Sequence, residues 1–133
     1  MIVISTDKSR LNVELIHQFL INTYWAKGRT LAQVQTTIDN CLCFGVYIDN
    51  KQIGFGRVAT DYAVFAYLMD IFILPKYRGK GYSKELMKTI VNANELKDCK
   101  TWMLKTADAH GLYKGFGFTE LHNPDIVMEK LIK

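Results

Sequence analysis

Cysteine and proline are scarce in this chain, and long apolar runs are missing altogether. The three cysteines among 133 residues form neither a CxxC pair nor a Cys/His pattern, because Cys41 and Cys43 are separated by one residue and Cys99 stands alone. That excludes a disulfide framework and a zinc site of familiar spacing, and the thiols read as core residues. The two prolines, Pro75 and Pro124, are not accompanied by any low-complexity stretch, so no linker divides the sequence and residues 1–133 read as a single domain. A chain of this length buries a sizeable core without staples. No apolar segment approaches the roughly 20 residues needed to cross a bilayer, so no membrane association is expected. The opening MIVISTDKSR has no basic, apolar and small-residue sections in the order of a secretory leader, and the expected location is cytoplasmic. No strong charge of one sign is present either. The net charge is +4 with lysines and arginines spread along the chain, which does not imply nucleic acid and suits an anionic small molecule equally well.

What is there is a globular composition, 49% hydrophobic and 23% charged, with periodicity that alternates between two types. Residues 1–5 read as a short strand. Leu11, Leu15, Ile16, Phe19 and Leu20 recur at helical spacing, predicting an amphipathic helix over roughly 9–22, and a second helix runs from an N-cap at Thr30 to Asn40. Cys41 to Ile48, the Asp49-Asn50 pair and Gln52 to Ala59 predict a β-hairpin. Phe65 to Leu74 is a buried strand that stops at Pro75. Tyr82, Leu86, Met87, Ile90 and Val91 then form a helical stripe. Thr101 to Leu104 reads as a strand, Ala109 to Lys114 as a short helix, and two final strands are expected around Phe118 and over Val127 to Leu131. The fold class is α/β (α+β), with helices covering a central sheet.

The most informative segment is DIFILPKYRGKGYS, residues 70–83. A buried strand feeds a turn carrying Arg78, Gly79, Lys80 and Gly81, and a helix starts at once. The first amides of a helix have no internal partner, and the aligned dipoles place about half a positive charge at that end, so the junction is suited to an anion. Glycine allows unusual backbone angles and close approach of a phosphate, and the two basic residues add charge at the rim. Other phosphate motifs do not fit. The P-loop spacing is absent, and Lys84 occupies the third glycine position of a GxGxxG.

With its strand and Leu-Pro-x-Tyr lead-in, RGKGYS resembles the coenzyme A motif of the GNAT family of N-acetyltransferases. The family pattern of Arg or Gln, two residues, Gly, one residue, Gly or Ala falls on Arg78, Gly81 and Ser83; serine departs from it but is small and can offer a hydroxyl. A second segment, ADAHGLYKGFGF over residues 107–118, is similar to the family's later motif at Ala109, Leu112, Tyr113, Gly117 and Phe118, with Thr106 where many members have asparagine. The element order fits the family over nearly the whole chain. The resemblance implies a GNAT-like acyl-CoA N-acyltransferase fold with a mixed, mostly antiparallel sheet.

It also implies transfer of an acetyl group from acetyl-CoA, as co-substrate and without a metal, to a primary amine of a small molecule by direct attack. The alternatives left open are a protein amine as acceptor, or a sensor that binds acyl-CoA without turnover. By resemblance, the strand before the turn carries a bulge, backbone groups of Ile71, Phe72 and Ile73 hold the pantetheine arm, and the turn from Arg78 through Gly79, Lys80, Gly81 and Tyr82 to Ser83 holds the phosphates. Tyr113 is the candidate to stabilise the departing thiolate. A phenol of pKa about 10 donates a hydrogen bond to a thiolate of about 8.5 more readily than it gives up its proton. Asp70, a carboxylate in an apolar run, either accepts the amine's proton, attracts a cationic acceptor or bonds backbone at the bulge. Asp61 and His110 are secondary candidates for the base. Tyr24, Trp25 and Arg29, in the connection between the first two helices, either wall an acceptor pocket or pack against the sheet. No nucleic-acid partner is expected, and a homodimer is among the assemblies allowed.

Overall fold

The computed structural model describes residues 1–132. Its sheet contains β1 (Val3–Ser5), β2 (Leu42–Ile48), β3 (Lys51–Thr60), β4 (Phe65–Ile73) and β5 (Thr101–Leu104), in spatial order β1-β2-β3-β4-β5. The first four strands pair antiparallel, while β4 and β5 run parallel. The helices are α1 (Val13–Leu20), α2 (Leu31–Asn40), α3 (Tyr82–Val91) and α4 (His110–Lys114). This is the mixed, mostly antiparallel sheet flanked by helices that the sequence implies.

Local chemistry sets the boundaries. Thr30 caps α2 in a reciprocal box with Gln33. The Asp49-Asn50 pair makes the tight β2–β3 turn with both residues at positive φ, 49° and 65°, a conformation that aspartate and asparagine tolerate better than most residues. The first helix is shorter than the predicted 9–22. Asn12 accepts a hydrogen bond from the Leu15 amide and starts α1 at Val13, while Lys8–Arg10 forms a separate single 3-10 turn capped by Asp7. The two final strands require a larger correction. Residues 115–132 contain a 3-10 turn at Pro124–Ile126 but no strand, so the apolar pattern around Phe118 and Val127 has no ladder to join within this chain.

The core has two layers, one on each side of the sheet. Leu42, Phe44, Val46, Val58, Ala66 and Leu68 pack with Leu86, Met87 and Ile90 of α3. Cys43, Phe55 and Phe72 pack with Ile16, Leu20, Val34 and Ile38 of α1 and α2. Strand alternation would place residues 66, 68, 70 and 72 on one face. It does not do so throughout β4, because the pairing steps from Met69 opposite Arg57 to Phe72 opposite Phe55, so two residues of β4 face one of β3. That is a β-bulge, with Asp70 in the left-handed region at φ 56°. Beyond it the faces exchange: Ile71 and Ile73 join the α3 layer, and Phe72 joins the α1–α2 layer.

Candidate active site

Three local structures meet around the second half of β4. The first is an opening in the sheet. Pairing between β4 and β5 spans only Phe65 to Leu68 against Thr101 to Leu104, so from Met69 to Ile73 the edge of β4 away from β3 has no strand beside it among the described residues. Ile71, Phe72 and Ile73 are on this stretch, with side chains in the core layers and backbone along the opening. Such an edge offers amide and carbonyl groups to an extended ligand.

The second is the turn that follows. Gly79 and Gly81 have φ of 80° and 81°, a conformation that costs most other residues about 1 kcal/mol or more. Gly81 is the N-cap of α3 and brings no capping side chain. Among the described residues, no acceptor meets the amides of Gly79, Lys80, Gly81, Tyr82, Ser83 and Lys84. Arg78 is fixed beside them by a 2.9 Å hydrogen bond from its Nε to the Ile73 carbonyl, which leaves its outer nitrogens for a ligand. Lys80 is exposed at the rim, and Tyr82 and Ser83 are half-buried at the helix start. Six free amides, the positive end of α3 and two cations make a cradle for phosphate oxygens.

The third is a charged cluster under the α1–α2 connection. The bulge turns Asp70 onto this side, where it is only 5% exposed. Its Oδ2 accepts from Arg29 Nη1 at 2.8 Å and from Arg57 Nε at 2.9 Å, and its Oδ1 accepts from Trp25 Nε1 at 3.1 Å. Burial is the largest single influence on Arg57 and works against its charge, but the Asp70 carboxylate and the Cys41 sulfur together outweigh it and hold the guanidinium above its ordinary value. Trp25 and Arg29 thus share one organising carboxylate. Tyr24 stacks edge-on against Trp25 and accepts a 3.2 Å hydrogen bond from the Ala107 amide in the β5–α4 loop, so the connection reaches across to the β5 side. Arg57 was not singled out from the sequence, although a charged residue in the apolar strand IGFGRVA is the same signal that marked Asp70.

Tyr113, on α4 beyond the end of β5, is half-buried and packs edge-on against Phe118. Its hydroxyl meets no hydrogen-bond partner among the described residues. Burial pushes the phenol above its ordinary value, with smaller contributions from Asp108 and Tyr24, so it stays protonated through the neutral range and can donate. The secondary candidates are occupied. Asp61 accepts from the amides of Ala63, Val64 and Phe65 in the β3–β4 turn, which hold its carboxyl at about 2. His110 Nε2 donates to the Thr106 carbonyl at 2.8 Å.

Known proteins resemble this chain consistently. A family model described as an acetyltransferase (GNAT) domain matches residues 39–120, a span that includes both the turn and Tyr113. A protein of Gibberella zeae named as an acetyltransferase is 26% identical in an alignment of 145 positions, covering 92% of this chain and 82% of its own length. A crystal structure of a GNAT-family acetyltransferase of Xanthomonas campestris pv. campestris superposes with a TM-score of 0.97 at 47% identity, over 99% of this chain and 94% of its own. The same fold, with a TM-score of 0.68 at 16% identity, occurs in a Clostridium acetobutylicum acetyltransferase crystallised with acetyl-CoA; 98% of this chain and 96% of that one are covered.

Proposed function

The chain belongs to the GNAT acetyltransferase family, and on that premise we propose that it transfers an acetyl group from acetyl-CoA to a primary amine of a small-molecule acceptor. The observation that carries this reading is the run of six amides without acceptors, Gly79 to Lys84, directly after a strand whose edge parts from its neighbour. Together they match the two ends of a coenzyme A arm. The turn binds the pyrophosphate, and the backbone of Ile71 to Ile73 pairs with the pantetheine amides. Acetyl-CoA supplies an activated thioester, and the chain supplies its alignment.

In this scheme the Tyr113 hydroxyl donates a hydrogen bond to the sulfur as negative charge develops there. The acceptor enters beneath Trp25 and Arg29, which the Asp70 carboxylate holds in place. Asp70 already accepts three hydrogen bonds from these two residues and Arg57. A role in orienting the acceptor side suits it better than direct proton removal, and water carries the amine's proton away. Release of free thiol, followed with a panel of small primary amines, tests the proposal. Turnover that requires both acetyl-CoA and one of these amines is the expected result. Turnover only on peptide lysines would move the acceptor to a protein, and tight binding of acetyl-CoA without turnover would make the domain a sensor.

A further inference from the structure

The charges under the α1–α2 connection do not balance. Two guanidinium groups, of Arg29 and Arg57, meet the single carboxylate of Asp70, which leaves one positive charge over. The surplus belongs to Arg29. Arg57 is 5% exposed, and its Nε and Nη1 are taken up by Asp70 and the Cys41 sulfur, so it is sealed in the core. Arg29 has a side chain 19% exposed and gives only Nη1 to Asp70. Its Nε and Nη2 meet no acceptor among the described residues, and neither is closed off, because the buried side-chain nitrogen or oxygen left without a partner there is the Tyr47 hydroxyl alone. Nε and Nη2 form the side-on fork of a guanidinium, with parallel N–H groups at the spacing of two carboxylate oxygens. Spending Nη1 on Asp70 leaves that fork whole.

The groove beside the fork has the same bias. Between the connection and α2 lies an open cavity of about 670 Å³, lined by Trp25, Lys27, Arg29, Gln33, Thr36 and Thr37 and otherwise by alanine and glycine. It holds two cations and no carboxylate. Lys27 is exposed and in no ion pair among the described residues. Trp25, held by Asp70 at 3.1 Å and 43% exposed, offers an apolar wall next to the fork. A purely cationic acceptor would enter this region against its charge.

Resting on the acetyl transfer proposed above, we infer that the acceptor is a small amine that also carries a carboxylate, an amino acid in the broad sense, and that Arg29 receives the carboxylate on its Nε–Nη2 fork. Trp25 then lies along the alkyl segment between the two ends. The positive surplus also disfavours the ammonium form of the acceptor relative to the neutral amine that attacks the thioester, which helps a site whose Asp70 is already engaged. The amine nitrogen bonds to the acetyl carbon and the carbon–sulfur bond breaks. The amine's proton leaves through water, and the departing thiolate takes one up.

Thiol release from acetyl-CoA should be measured with α-, β- and γ-amino acids, with the methyl ester of each, and with aminoalkyl phosphonates of the same chain lengths, at equal concentrations of neutral amine. At least one amino acid should exceed its ester in kcat/KM by about tenfold or more. Arg29→Gln should bring that acid-to-ester ratio to about one, whereas a merely structural role for Arg29 would slow acid and ester together and leave the ratio as it was. The ratio in the parent needs no variant to fold. Esters turned over as well as their acids would overturn the inference and leave the small-amine reading standing. Phosphonates faster than every amino acid would overturn the carboxylate assignment. Silence across all three series, with acetyl-CoA bound in calorimetry, would remove the small-amine reading and this inference with it.

Discussion

Two polar regions flank the second half of β4, and they differ in what they leave unsatisfied. Around Asp70, donors and acceptors meet each other: two guanidinium groups and an indole converge on one carboxylate. Around Gly81, six consecutive amides meet nothing among the described residues. Buried polar groups in native proteins are almost always paired by the chain itself, as around Asp70, whereas the turn is largely exposed and its amides are open to water or to an anion. On the function proposed above, the saturated cluster organises the site and the unsaturated turn receives the ligand.

Changing the saturated side should cost stability first. Asp70→Asn removes the charge between Arg29 and Arg57 and leaves the buried Arg57 guanidinium uncompensated, at a cost of about 3–5 kcal/mol and a melting temperature lower by about 10–20 °C. Chemical denaturation would measure this. A variant as stable as the parent that loses only acetylation rate would make Asp70 an acceptor-contacting group and break the comparison. The next largest effect is expected at Tyr113. Tyr113→Phe should lower kcat by about a hundredfold while leaving acetyl-CoA affinity nearly unchanged in calorimetry. Because its phenol is held above the ordinary value near 10, ionisation of this group should produce no falling limb in the parent's pH profile below about pH 10.

On the unsaturated side the effect should be on binding with the fold retained. Gly81→Glu places a carboxylate at the cradle and should weaken acetyl-CoA binding by at least about tenfold. Gly81→Ala, which adds only backbone strain of ~1 kcal/mol, should weaken it far less, since nothing lies within 4 Å of a Cβ built there. If the two substitutions weaken binding equally, conformation rather than charge controls the turn. The smallest effect is expected at Cys43, whose thiol burial pushes up to about 12. The unfolded thiol ionises near its ordinary value of 9.0 while the folded one does not, so its contribution to stability is intact below pH 9 and is lost as pH rises toward 12. Alkylation of folded protein at pH 8 should spare Cys43.

The contrast also marks how far the sequence could be read. The hairpin, α2, α3 and β5 follow from periodicity and caps, and the glycine turn was visible because glycines and basic residues at a strand–helix junction are a local signal. The Asp70 cluster was only half visible. Its partners Arg29 and Arg57 lie 41 and 13 positions away, and an aspartate tolerates the left-handed φ that turns the carboxylate toward them without requiring it. The two last strands were misread for a related reason. Alternation and branched residues state a preference for extended chain, but a strand exists only where another backbone lies alongside.

The bulge at Asp70 also has a consequence for tolerance to substitution. Before it, the even positions Ala66 and Leu68 face α3; after it, the odd positions Ile71 and Ile73 do. A saturation scan of β4 should therefore show intolerance to polar residues on the α3 side with a period of two that slips by one step at Asp70. Deleting Asp70 would remove the slip while leaving Ile71, Phe72 and Ile73 in their present layers, because Ile71 would then follow Met69 in regular alternation opposite Gly56; what the chain would lose is the carboxylate between Arg29 and Arg57.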